Sequence, residues 1–199
     1  MTLVAGIDPG ANGAVAIYDN ETKRITSIHD LPFWYQTVGK SKRKRLDPVA
    51  LSELIELLPV LGVELVVLEA VGGRPRQSAS AGFVFGYTVG LIYMACMYSG
   101  LFVETTPPTR WKKQLNVPGK GGGKDKAAKK QAEGDIINRV NELFPADRTM
   151  FRTERGAYRM DRADAALLAK FGGDYVLPTL KPLSDVELRL TYINGETGA

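Results

Sequence analysis

Three strand-like runs crowd into the start of the chain, at residues 2–8, 13–18 and 24–29, and they constrain the fold more than any other feature. Pro9-Gly10 separates the first run from the second, and Asp19-Asn20 turns the second into the third. A parallel pairing needs a crossover of about a dozen residues or more. These connections are too short for one, so the spacing predicts an antiparallel meander. Further along, Asp47 and Pro48 carry N-cap and first-turn chemistry and predict a helix to about Leu58. Residues 63–68, apolar apart from Glu64, predict a central buried strand. A helix over 78–99 follows, then a fifth strand at 101–105 and a short helical piece at 107–111. A long helix over 124–144 comes next, and a final helix over 161–171 is stopped by Gly172-Gly173. Residues 31–46 read as loop. The order predicts an α/β fold, a mixed five-stranded sheet with helices on both faces. We assign residues 1–178 to one domain and 179–199 to a C-terminal extension without a readable pattern.

Composition narrows the chemistry. The 199 residues are 44% hydrophobic and 24% charged, which suits an ordinary globular chain and excludes collagen-like, coiled-coil and wholly disordered ones. Cys96 is the only cysteine and His29 the only histidine. A disulfide framework, a Cys-rich zinc site and a His-rich metal site are therefore excluded, which favours carboxylate chemistry. The formal net charge of +4 fits a polyanionic partner. The opening Met-Thr-Leu-Val-Ala-Gly-Ile-Asp has neither a basic run nor a long apolar one. No secretory signal is expected, and a lone thiol suits a reducing compartment, so we expect a cytoplasmic protein.

Residues 77–103 carry no charged side chain, which is long enough for a membrane span. Ser78, Ser80, Tyr87, Thr88, Tyr93, Tyr98 and Ser99 interrupt it, and strands of a soluble sheet flank it. We read a helix buried on most sides and expect no membrane partner. Gly82, Gly86 and Gly90 recur every four residues along it and make one smooth stripe. The sheet covers one side of such a helix. A second copy of the same helix would cover the other, so we expect a homodimer through residues 78–99.

Four acids stand where apolar segments end or begin. Asp8 closes the first strand, in Gly6-Ile7-Asp8-Pro9-Gly10, and Glu69 closes the run Val66-Val67-Leu68. A carboxylate there is costly unless it meets water, a cation or a metal, although Asp-Pro-Gly is also ordinary turn chemistry. If the two strands are parallel neighbours, their terminal carboxylates come close together. Asp161 and Asp164 open the last helix at i and i+3, on one face. Acids in a first turn also favour the helix dipole, so neither residue alone marks a site. The small apolar run from Ala165 to Ala169 lets this helix pack closely on the sheet and bring its acids towards Asp8 and Glu69. Four carboxylates converging without histidine suit hard divalent cations, Mg²⁺ or Mn²⁺. Two such ions activate a water and stabilise a leaving oxygen in phosphoryl transfer.

The basic residues point to the partner. Arg110, Lys112, Lys113, Lys120, Lys124, Lys126, Lys129 and Lys130 face a single acid, Asp125, in their stretch. Lys40, Lys42, Arg43, Lys44 and Arg45 form a second cluster, and Arg74 and Arg76 follow Glu69. One such run is usually a solvated face. Two beside a metal-type acid set fit a phosphate backbone. Phe33, Trp34, Tyr35 and Trp111 lie next to these runs and are suited to stacking on bases, though packing is the commoner use of such residues.

Taken together and in this order, these motifs resemble the RuvC-like Holliday junction resolvases. The resemblance rests on residues 6–13, Gly-Ile-Asp-Pro-Gly-Ala-Asn-Gly, on Leu68-Glu69-Ala70, and on Asp161-Arg162-Ala163-Asp164-Ala165-Ala166-Leu167-Leu168-Ala169. It covers roughly residues 2–175. Pro107-x-x-x-Trp111-Lys112 and the Gly-rich loop before the long helix look most like the bacteriophage branch. The resemblance implies an RNase H-like fold, a homodimer and Mg²⁺-dependent hydrolysis of DNA phosphodiesters at four-way junctions, in the host-cell cytoplasm for a phage protein. It also implies that Asp8, Glu69, Asp161 and Asp164 bind metal and that Lys112 and Lys126 approach the scissile phosphate. One departure is clear: residues 72–76, Gly-Gly-Arg-Pro-Arg, offer no aromatic wedge of the kind that bacterial relatives place after this glutamate.

Other readings share some of these features. A sugar kinase or actin-like ATPase also opens on a strand with an Asp-Gly motif, but needs a second phosphate-binding half for which 199 residues leave no space. A related nuclease for flaps or RNA–DNA hybrids would carry the same acids. A non-catalytic junction-binding protein would keep the basic patches without needing four aligned carboxylates.

Overall fold

The computed structural model describes residues 2–39, 41–70, 72, 78–119 and 126–180. Strands β1 (Leu3–Asp8), β2 (Ala14–Asp19) and β3 (Arg24–Asp30) form the expected antiparallel meander. A hairpin of β4 (Phe33–Val38) and β5 (Ser41–Leu46) follows, then α1 (Pro48–Val60) and β6 (Val63–Glu69). Next come α2 (Ala79–Tyr98), β7 (Phe102–Thr106), α3 (Pro108–Gln114), α4 (Lys126–Leu143) and α5 (Met160–Phe171). The main sheet runs β3-β2-β1-β6-β7, with β6 parallel to both β1 and β7. It is the mixed five-stranded sheet that the element order predicts.

Alternation along the central strands builds two cores. Leu3, Ala5 and Ile7 of β1 join Leu51, Ile55 and Leu58 of α1 and Ile92 and Cys96 of α2 on one face. Val4, Leu65 and Val67 join Trp111 of α3, Ile136 and Val140 of α4 and most of α5 on the other. Asp47 caps α1, its carboxylate accepting from the N–H groups of Val49 and Ala50. Opposite α1, Gly6 lets α5 lie directly on β1: a Cβ there would overlap the backbone of Ala165 and Ala169. This contact brings the first turn of α5 to the carboxyl ends of β1 and β6.

Three expectations change. Within the stretch read as loop lie two strands, Phe33–Val38 and Ser41–Leu46. β4 and β5 pair antiparallel, with Trp34 opposite Arg45, Tyr35 opposite Lys44 and Gln36 opposite Arg43. Aromatic partners stabilise a strand made almost wholly of cations, whose charge hides its strand signal. The second change is at Gly172-Gly173: α5 ends at Phe171 as expected, but the chain does not leave the helical path there. The chain passes through a π-helical turn, Gly172–Val176, and a short 3-10 turn, Leu177–Thr179. Gly172 has right-handed helical dihedrals, and a Cβ on it would press into Val67 and Val4, so it also serves close packing. The third concerns α2, which is not buried on most sides. Only Thr88, Ile92 and Cys96 are buried, while Phe83 (76%), Tyr87 (55%), Met94 (62%) and Tyr98 (89%) are exposed in the single chain. By length and composition alone, this helix could also cross a membrane. Of the expected extension, only Thr179 and Leu180 lie within the described residues.

Candidate active site

Asp8 and Glu69 end adjacent parallel strands. Ile7 is level with Leu68 in the β1–β6 register, so the two carboxylates emerge side by side at the same edge. Both are buried. Asp164 is buried in the first turns of α5, and Asp161, one turn earlier, keeps about a third of its side chain exposed (31%). The groups that act on Asp8 show how close these acids are. Burial and then the Asp164 carboxylate raise its carboxyl, with smaller contributions from Glu69 and Asp161, and the Gly10 N–H opposes them. The net result is a carboxyl at about 7 instead of 3.8. The Gly10 N–H donates to Asp8 Oδ1 at 2.9 Å. The Trp111 indole N–H donates to Glu69 Oε1 at 3.2 Å from within the core.

This cluster carries more negative charge than burial tolerates, and its donors are all carboxylate oxygens. It fits a hard divalent cation, which would relieve the repulsion that raises Asp8. Among the described residues, no three acids, histidines or cysteines already form a closed ligand set. A cation would have to draw them together.

A basic frame surrounds the acids. Arg162 holds Asp30 in a fork, Nε to Oδ1 at 2.7 Å and a terminal nitrogen to Oδ2 at 2.8 Å, and this bond keeps the Asp30 carboxyl below its ordinary range. Arg159 donates to the Asn12 carbonyl at 3.0 Å and also stands 3.4 Å from Asp30 and 3.9 Å from Asp161. Lys44, reaching in from β5, donates to Asn12 Oδ1 at 2.7 Å and lies 4.3 Å over the Phe33 ring. Burial lowers its pKa first, and the nearby Arg159 lowers it further. The frame therefore joins the meander, the hairpin and the start of α5 around one opening. Sequence reasoning did not find Arg159 and Arg162 and placed Lys44 only in a general basic cluster. The available signal was the alternation of Arg and Asp at positions 159, 161, 162 and 164.

The other expected basic residues are spread out. Lys112 is half-buried, 4.8 Å above the Trp111 ring, and so one side chain removed from Glu69. Arg110 pairs with Glu104 at 2.8 Å. Lys42, Arg43, Lys113, Lys126, Lys129 and Lys130 are exposed. Arg45 donates to Gln36. Lys40, Lys120, Arg74, Arg76 and Lys124 lie outside the described residues. Trp111 is core, and of the hairpin aromatics Trp34 and Tyr35 are exposed. Burial pushes the Cys96 thiol up to about 12, which makes it no nucleophile.

No family model and no curated protein sequence matches the chain. Solved structures do. Thermus thermophilus RuvC in complex with a Holliday junction substrate superposes with a TM-score of 0.59 at 17% identity, over 92% of this chain and 100% of that one. Thermus thermophilus RuvC alone gives 0.50 at 16%, over the same shares. The yeast mitochondrial Holliday junction resolvase Ydc2 gives 0.46 at 16%, over 96% of this chain and 82% of its own. The chain has the RuvC-type, RNase H-like fold over nearly its whole length.

Proposed function

We propose that this protein is a divalent-cation-dependent endonuclease that resolves four-way junctions and other branched DNA, acting as a homodimer. The observation that carries the proposal is the cluster of Asp8, Glu69 and Asp164 at the shared end of two parallel strands, where burial first and the neighbouring carboxylates second raise the Asp8 carboxyl to about 7. Asp8, Glu69, Asp161 and Asp164 would hold two ions, Mg²⁺ or Mn²⁺. Such ions supply Lewis acidity at a phosphate oxygen and make water a nucleophile at neutral pH.

The chain's own residues perform the rest. Gly10 and Trp111 each donate a hydrogen bond that helps orient Asp8 and Glu69. Lys44 and Arg159 line the rim by which a phosphate backbone would enter and offset its charge as it nears the acids. Lys112 and Lys126 complete the set of cations assigned to the scissile phosphate. Lys42, Arg43, Lys113, Lys129 and Lys130, all exposed, attract the duplex arms. The apolar outer face of α2 supports a two-fold partner, and two active sites related by a two-fold axis suit a symmetric junction.

The test is cleavage of matched four-way, three-way, flap and linear DNAs, with RNA–DNA hybrid as a further arm, each with and without Mg²⁺. Metal-dependent cutting that prefers the four-way junction is expected. Asp8→Asn, Glu69→Gln, Asp161→Asn and Asp164→Asn should each abolish cutting and leave junction binding in place. Near-normal cleavage by Asp8→Asn would remove the site assignment. Binding with no cleavage under any metal would leave a junction-binding protein.

A further inference from the structure

Beside the acids lies a cavity of about 500 Å³, within the ~300–1,000 Å³ typical of small-ligand sites. One wall is the turn after Asp8, residues 9–11, and another is the hairpin, with Phe33 and residues 43–46. The third is α2, through Ala81, Phe85 and Thr88. These α2 residues continue the helix's buried stripe. Positions 81, 85, 88, 92 and 96 fall on one face, at spacings of four, three, four and four. Towards the C-terminal end, Ile92 and Cys96 are covered by the core. Towards the N-terminal end, the same stripe faces open space. The exposed dimer face of Phe83, Tyr87, Met94 and Tyr98 lies on the opposite side of the helix, so the cavity and that face do not compete.

The lining has two chemistries. Phe33, Phe85, Val84 and Leu46 are apolar, and two of them are aromatic. Arg43, Lys44 and Arg45 line the rim and make it basic, with no acid among the described lining residues. Ser80 adds a hydroxyl. An apolar slot with aromatic walls and a cationic edge complements one class of ligand on a nucleic-acid enzyme: a base turned out of its stack, with its own phosphate on the cations. Pro9 and Gly10 belong both to this cavity and to the turn that carries Asp8. A base held here would therefore lie beside a phosphate at the acids.

We propose that this cavity receives one unstacked nucleobase next to the scissile phosphate, that it supplies the junction-opening and base-selecting contact, and that the basic hairpin β4–β5 forms one of its walls. The position relative to the cut rests on the nuclease reading above; the capture of a base does not. A strand that must leave the duplex to reach the metal site loses stacking there, and Phe85 returns it.

Base deletion tests this directly. A four-way junction is bound in Ca²⁺ with one base removed at each position around the crossover in turn. Removal at one or two adjacent positions should weaken binding by about fivefold or more, as expected for losing a base–aromatic stack. Ala81→Trp, an exposed position on the cavity wall, should weaken binding of the intact junction by a similar factor and make the protein indifferent to base removal. A flat scan with the unaltered protein overturns the proposal, and so does Ala81→Trp retaining the full positional sensitivity. A short single strand, with all bases present or all removed, forms the second arm. If four-way junctions are neither preferred nor cut but this strand still shows a base dependence that Ala81→Trp removes, the nuclease reading fails and the base site stands. Junction cleavage with no base dependence in either arm gives the reverse result.

Discussion

The indole N–H of Trp111 reaches out of the core to the carboxylate of Glu69, 3.2 Å away, and Lys112 lies over the same ring. One buried side chain thus fixes an acid at the end of β6 and supports a cation beside it. In the proposed reaction Trp111 is a positioning residue, because it acts through Glu69 and Lys112. Trp111→Phe keeps most of the packing and deletes the donor. We expect the Mg²⁺ concentration for half-maximal cleavage to rise roughly tenfold or more, as for outer partners of metal ligands generally. Stability should fall by about 1–3 kcal/mol. A metal titration of cleavage checks this, and an unchanged Mg²⁺ dependence would make the bond purely structural.

Asp8 predicts a pH dependence of stability in the metal-free protein. Its carboxyl sits at about 7 in the folded chain against 3.8 as reference, so the folded state holds the proton more tightly. Stability then falls as pH rises from about 4 to about 7, and the penalty is complete above that window. The gap corresponds to at most roughly 4 kcal/mol. Asp8→Asn removes the charge and keeps an oxygen for the Gly10 N–H. In EDTA at pH 8 the variant should melt several degrees above the unaltered protein. At pH 4 the two should melt together, and Mg²⁺ at pH 8 should narrow the difference by stabilising only the acid. Equal melting points at pH 8 in EDTA would show that the cluster carries no such strain.

Much of this arrangement was legible in the sequence because it is local. An apolar run ending in an acid reads the same way twice, at Asp8 and Glu69, and the i, i+3 pair Asp161 and Asp164 places itself on one face. The meander follows from connections too short to cross over. The missed features depend on partners far along the chain. Trp111 and Glu69 are 42 positions apart, and Arg162 and Asp30 are 132 apart. The hairpin was hidden for a different reason. Its second strand, Ser41–Leu46, is almost all cation, and only its register against Phe33, Trp34 and Tyr35 makes it a strand. The close packing of Gly172 is illegible in sequence because a helix-ending glycine and a close-packing glycine look alike until the neighbouring strand is known.

Lys44 and Lys42 stand two residues apart on β5 and should behave differently. Lys44 is tied to Asn12 and shares its surroundings with Arg159 and Asp161, whereas Lys42 is exposed. Lys44→Ala should slow cleavage of bound junction by roughly tenfold or more, and added salt should not abolish the difference. Lys42→Ala should weaken binding alone, by a factor that shrinks as salt rises. Lys112→Ala and Lys126→Ala should side with Lys44. Single-turnover cleavage at two ionic strengths separates the two classes. Equal losses that vanish together at high salt would merge all four into one electrostatic patch.

Gly86 offers the sharpest test of assembly. It lies exposed on α2, and a Cβ placed there meets nothing within 4 Å. The single chain can therefore accept a large residue at this position without repacking. Phe83, Tyr87, Met94 and Tyr98 leave an apolar strip exposed on the neighbouring side of the helix, and such contiguous strips mark interaction sites. With glycine at 86 and 90, a second α2 could approach that strip closely. Gly86→Arg would put a long charged chain into that contact, where burying an unpaired guanidinium is prohibitive. We expect the unaltered protein to sediment near twice the chain mass of 21.7 kDa and Gly86→Arg near that mass itself, with little change in far-ultraviolet circular dichroism. The two cuts on a cruciform plasmid should also come apart, leaving nicked circles where the dimer gives linear product. An unaltered protein that is monodisperse, monomeric and fully active would show that the outer face of α2 has another use.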